Sequence, residues 1–163
     1  MTSKINLSAI FSDHLATLRD EGEEKLSLTD LVVMFGMPLI AAIGAVLLGF
    51  HIPNAHIGTL ISAFAIFGGL LFNVLVLIYS FSSGENQRDE SGQRLVRQSF
   101  GNISFAVMSS LLAVVLLVVL LFSSGAFQMI IEGLIYFIGI NFLLTMLMVL
   151  KRIHILLRTN LDT

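Results

Sequence analysis

Four stretches of the chain, 31–50, 57–81, 103–122 and 127–150, are almost unbroken in their apolar character, and polar residues crowd into the segments between and around them. A helix needs roughly 20 residues to cross the hydrocarbon core of a bilayer. Each stretch reaches that length, so the pattern predicts four transmembrane helices. Ahead of them, residues 1–26 read as a helix followed by an acidic linker. Leu7, Ile10, Phe11, His14, Leu15 and Leu18 fall on one stripe at helical spacing, with Asp13, Arg19 and Asp20 on the polar side. Such an amphipathic helix either lies on the membrane surface or docks against neighbouring subunits. Its low positive charge favours docking. Ser27, three residues before Asp30, has the spacing of a helix cap where the first span begins.

Composition agrees with the pattern. Of 163 residues, 56% are hydrophobic and 12% charged, and the mean hydropathy of +0.92 is far above that of a soluble domain. The expected fold class is therefore an all-α integral membrane protein, inserted by its own helices with no cleavable leader. No cysteine is present, which excludes disulfides, thiolate chemistry and Cys-based metal sites. A net charge of −2 gives no reason to expect duplex nucleic acid as a partner.

The distribution of charge says more. Lys4, Arg19 and Lys25 precede the first span, Arg88, Arg94 and Arg97 occupy the loop 82–102, and Lys151, Arg152 and Arg158 lie in the tail 151–163. The other two connections, around His51–His56 and Ser123–Gly125, carry no Lys or Arg. Positive residues stay on the cytoplasmic side, so both termini and the middle loop are expected in the cytoplasm. Two tight turns are left outside.

Within the spans, small and polar residues mark where helices meet, because lipid is as apolar as Leu and offers no competing drive. Ala41, Ala45 and Gly49 recur at four-residue intervals in the first span, which Pro38 is expected to bend. The third span is nearly uniform Val and Leu, with Ser109 and Ser110 able to bond their own helix; it is expected to face lipid. The second span is the most patterned. Gly58, Thr59, Ser62, Ala65, Gly69, Asn73 and Ser80 share one face, which is either a helix–helix seam or the lining of a water-filled pore in an oligomer. Four helices leave little room for a conduit inside one subunit, so a pore would lie on a symmetry axis.

One acidic residue stands inside the fourth span. Glu132 shares a face with Gln128, Tyr136 and Gly139, while Asn141 and Thr145 lie on another. It sits about 7.5 Å in from the outer end at 1.5 Å per residue, shallow enough to reach water, to form a ring at the outer mouth of an oligomer, or to take part in proton-coupled transport. The pore-lining candidates are thus Thr59, Ser62, Gly69, Asn73, Ser80 and Glu132. On the cytoplasmic side Lys151, Arg152, His154 and Arg158, with Arg94 and Arg97, are either a positive-inside anchor or a site for phosphate groups, concentrated if repeated about an axis.

No catalytic constellation appears, and no cofactor is implied. His14, His51, His56 and His154 are scattered; His51 and His56 flank a turn at Pro53 and Asn54 but make a poor metal site. No phosphate-binding Gly-rich loop or zincin pattern occurs. The chain is not expected to be an enzyme.

The succession "GGLLFNVLVLIYSF", "GNISFAVM" and "TMLMVLKRIHILL" resembles small four-span membrane proteins that accompany bacterial anti-phage defence genes. The likeness covers most of the membrane region. It is greatest to the membrane effectors of the Hailong system, the HalB family, with the Kiwa membrane components, the KwaA family, as competitor. The first resemblance implies a tetrameric channel in the bacterial inner membrane, held shut by a single-stranded oligodeoxyadenylate that a partner nucleotidyltransferase makes, and opened when that ligand is lost to arrest growth. The second implies a non-conducting sensor or scaffold that holds a cytoplasmic effector at the membrane. Neither assigns a ligand residue to a position in this chain.

Overall fold

The computed structural model describes residues 7–18, 28–82 and 90–161, and the side chains among them except those of 81–82, 90–95 and 156–161. The acidic linker, the Ser27 cap and Arg88 lie outside the described residues, as do the side chains of Arg94 and Arg158. Every described element is a helix. α1 is Leu7–Ala16; α2 is Leu28–Leu47; α3 is Asn54–Ser82; α4 is Glu90–Leu120; α5 is Gly125–Leu161. The last four are long and apolar enough to cross a membrane. The protein is all-helical and membrane-embedded.

The spans do not pack in chain order. α2 lies on α5, α5 on α4, and α4 on α3, while α2 and α3, joined by a short turn, have no close backbone approach among the described residues. The connection must therefore pass over the ends of other helices. α2 stops in a Schellman motif, with Phe50 N–H bonding Ala45 O and Gly49 N–H bonding Val46 O. Gly49 takes φ +73° there, a conformation that costs glycine nothing. Beyond it, Ile52 drops between helices into a core of Ile57, Leu117, Leu120, Ile131 and Ile135.

This corrects the reading of Ala41, Ala45 and Gly49 as a packing stripe. Ala41 is exposed, and the face that α2 buries runs through Met34, Pro38 and Ala42. Gly49 ends the helix instead of packing it.

Pro38 shapes α2 through the hydrogen bond it cannot make. In an α-helix the N–H of residue 38 would bond the carbonyl of Met34, and proline has no N–H. The backbone opens into a π turn over Val32–Gly36, in which Met37 N–H reaches back to Val32 O. Asn141 of α5 then donates its side-chain amide to the stranded Met34 carbonyl, at 2.6 Å.

The third span is central, and only the face through Leu111, Val115 and Val118 is left open to lipid. On α4, Ser99, Ile103, Ala106, Ser110, Ala113, Leu117 and Leu120 are all buried and alternate at intervals of four and three, the spacing of a coiled-coil seam. Asn102, Phe105 and Ser109 form a second buried line beside it. Two buried faces on one helix follow from its place between α3 and α5. At Gly68 of α3 the two helices stand so close that a Cβ would collide with the Ser110 hydroxyl. That hydroxyl turns back to Val107 O at 2.8 Å.

Candidate functional site

The sequence-predicted positions separate into three regions. On α3, Gly58, Thr59, Ser62, Ala65, Gly69, Asn73 and Ser80 are all exposed, while Ile57, Phe64, Gly68 and Leu71 on the other side face the chain's own core. The small and polar stripe therefore points away from α4 and α5. Ser62 and Ser80 return their hydroxyls to Gly58 O and Leu77 O, so each hydroxyl proton is used within the helix. Gly58 and Gly69 have open space where a Cβ would stand.

Glu132 is not on that stripe. It is 1% exposed and turns toward the strap that joins α2 to α3. Its Oε2 lies 2.9 Å from His51 Nδ1, and its Oε1 accepts from Ile52 N–H at 3.3 Å and from Gln128 Nε2 at 3.0 Å. One turn along α5, the Tyr136 hydroxyl donates to Phe50 O at 3.4 Å. Glu132 and Tyr136, one turn apart, thus fasten three consecutive strap residues, and Gln128, one turn earlier, bonds Glu132. The crossing connection has no helix of its own, so its backbone groups need partners from elsewhere. His56 is exposed and stands apart from this set.

At the opposite end, the basic residues do not act as one cluster. Lys151, His154 and Arg97 are exposed, whereas Arg152 is partly buried and donates to Thr17 O, one residue past α1, at 3.1 Å. A cation at a helix C-terminus also meets the negative end of the helix dipole. Arg152 is thereby turned to the chain's own first helix.

α1 itself is docked, on α4, with its apolar stripe partly buried and partly exposed. Leu7 remains exposed, while His14, Thr17 and Leu18 are buried. The His14 ring stacks flat on Phe105, with centroids 3.9 Å apart and an angle of 2°; Phe11 touches both Phe35 and Phe105 edge to face or tilted. His14 Nδ1 and Thr17 Oγ1 each lie 2.8 Å from the Asn102 side-chain amide, and Thr17 Oγ1 lies 2.7 Å from His14 O. A hydroxyl carries one hydrogen. It cannot donate both to His14 O and to Asn102. Only the amide orientation that presents NH2 to the pair gives every short contact a hydrogen, and in it His14 Nδ1 accepts.

Burial holds His14 below the usual imidazole pKa and the Arg152 charge adds to it; an Asn102 oxygen turned to the ring would oppose this, and the NH2 turned to it does not. His14 Nε2, Ser99 Oγ, Arg152 Nη1 and one atom of the Asn102 amide are buried with no partner among the described residues. Asn102, Ser99 and Thr17 were not singled out from sequence. Asn102 was legible only as a polar residue immediately before a uniform span, and nothing in a single sequence links it to His14, 88 positions away.

Among the described residues no three His, Asp or Glu side chains converge to hold a metal. No protein-family model, curated protein or solved structure matches the chain.

Proposed function

We propose that the protein is an oligomeric ion-channel effector, assembled from copies of this chain with the small and polar face of α3 turned to the symmetry axis. The observation that carries the reading is that outward face. Seven small or polar positions, Gly58 to Ser80, all point away from the chain's own core, and Asn73 among them would expose an amide to hydrocarbon in a lone subunit. An unpartnered amide in an apolar medium costs about 4–8 kcal/mol. A neighbouring copy or pore water removes that cost. Thr59, Ser62, Gly69, Asn73 and Ser80 are then the lining, and Glu132, engaged with the strap, is not part of it.

The remainder rests on the resemblance: a tetramer in the bacterial inner membrane, both termini cytoplasmic, acting in anti-phage defence by depolarising the cell. Lys151, His154 and Arg97 are exposed at one end, which supports gating there by a nucleotide or oligonucleotide phosphate. Lys151 and His154 belong to a helix that runs on to Leu161.

Planar-bilayer conductance of the purified protein, with and without short oligodeoxyadenylate, tests this. Asn73→Leu should abolish current while leaving the oligomer intact. Current that persists in an intact oligomer removes Asn73 from the ion path. Loss of assembly without any wild-type conductance points to the scaffold reading, in which the α3 face is only a packing seam.

A further inference from the structure

The one titratable side chain that α1 buries is held in a setting that suits only its neutral form. His14 has no exposed surface, is flat against Phe105, and faces Asn102 in the geometry of an acceptor. We propose that α1 is a proton-releasable latch, seated on α4 while His14 is neutral and freed when His14 takes a proton.

The charges around the ring fit that direction. On α5 the group acting on His14 is Arg152, of the same sign as a protonated imidazole. Asp30 of α2 acts on Arg152, and Asp13 of α1 is exposed and lies over Gly101 of α4. Among the described residues, the other side chains that meet the His14 ring are Phe35, Phe105 and Asn102, all uncharged. Attraction between an imidazolium and the Phe105 face offsets part of the penalty, but a proton on Nδ1 would meet the Asn102 NH2, donor against donor. Burial and Arg152 act in the same sense.

Seating is also marginal. Buried polar atoms without partners oppose burial, and His14, Ser99, Asn102 and Arg152 each carry one with no partner among the described residues. Those on His14 and Asn102, which meet each other at the α1 seat, gain water when α1 leaves. Release would also free the Arg152 guanidinium from Thr17 O.

The sign of the pH dependence follows from linkage. The seated state binds fewer protons than the free one, so seating is complete above the free imidazole value of 6.5 and weakens as pH falls below it. Between pH 8 and pH 5.5 the fraction of chains with α1 released should rise by up to about tenfold.

The chain has no cysteine, so Gly101→Cys supplies a single thiol. A Cβ at Gly101 stands 3.5 Å from Asp13 Cβ, under α1, and is reached by reagent only when α1 lifts. The experiment measures alkylation of Gly101→Cys in the full-length protein, in the native and the His14→Gln backgrounds, at pH 8 and pH 5.5. Their rate ratio cancels the pH dependence of the thiol. A native-to-variant ratio that rises severalfold toward pH 5.5 is expected, and a ratio that stays constant overturns the latch. Should His14→Gln fail to protect the thiol at pH 8, the NMR titration of His14 in the native chain decides: a midpoint below 6.5 is expected, and one at or above 6.5 overturns it.

Discussion

The side-chain amide of Asn141 lies 2.6 Å from the carbonyl oxygen of Met34, the carbonyl that an N–H at position 38 would meet in a regular α-helix. A residue on α5 thereby repairs a fault that a proline makes on α2. Removing a partner from a buried polar group costs about 1–3 kcal/mol, so Asn141→Ala should destabilise the protein by that amount. Pro38→Ala restores an N–H at position 38 and with it the local partner. The penalty for Asn141→Ala should then shrink by at least about 0.5 kcal/mol, the lower range of coupling for residues that share a contact. Unfolding of the two single variants and the double variant in detergent measures this. Full additivity would mean that Pro38 and Asn141 act independently.

Two adjacent glycines on α3 should behave oppositely. A Cβ on Gly68 would strike the Ser110 hydroxyl, whereas one on Gly69 meets open space. Gly68→Ala is expected to cost about 1–3 kcal/mol, as overpacking does, and Ser110→Gly should relieve it. Gly69→Ala should leave the stability of an isolated subunit unchanged, or raise it slightly because glycine is a poor helix former. If copies meet at the α3 face, Gly69→Ala instead weakens the oligomer. Comparing thermal unfolding with chromatographic size for both variants separates own-chain packing from subunit packing.

The membrane class and the four spans were legible because hydropathy over 20 residues is a property of the sequence alone. The place of α4 was legible in part. Its Val and Leu suggested lipid, yet Ser99, Ala106, Ser110 and Ala113 repeat at seam spacing between larger residues, and that period was the signal of burial. The register of α2 was misread because Gly49 fits a four-residue stripe as well as it fits a helix end. Position 49 is settled by the strap, whose path depends on α2 and α3 being held apart. Glu132 was legible as an anomaly but not as a partner of His51, since the pairing joins positions 81 apart. The His14 site was hidden for the same reason: its contacts reach to α2 and α4, and only the fold brings them together.

Glu132 should matter for the strap and not for ion choice. Its side chain serves the Ile52 amide, the Gln128 amide and His51 together, so Glu132→Ala strands several polar groups at once. The expected cost is about 2–4 kcal/mol, given about 1–3 kcal/mol for each buried group left unmet. His51→Ala removes one contact from a side chain that is 58% exposed and should cost no more than about 1 kcal/mol. Glu132→Gln keeps the shape and one acceptor oxygen, and should fall between them. In conducting protein, Glu132→Gln is expected to leave the reversal potential under a salt gradient unchanged, because the group faces Ile52 and not the α3 stripe. A shifted reversal potential with unaltered stability would put Glu132 in the ion path and take the strap role from it.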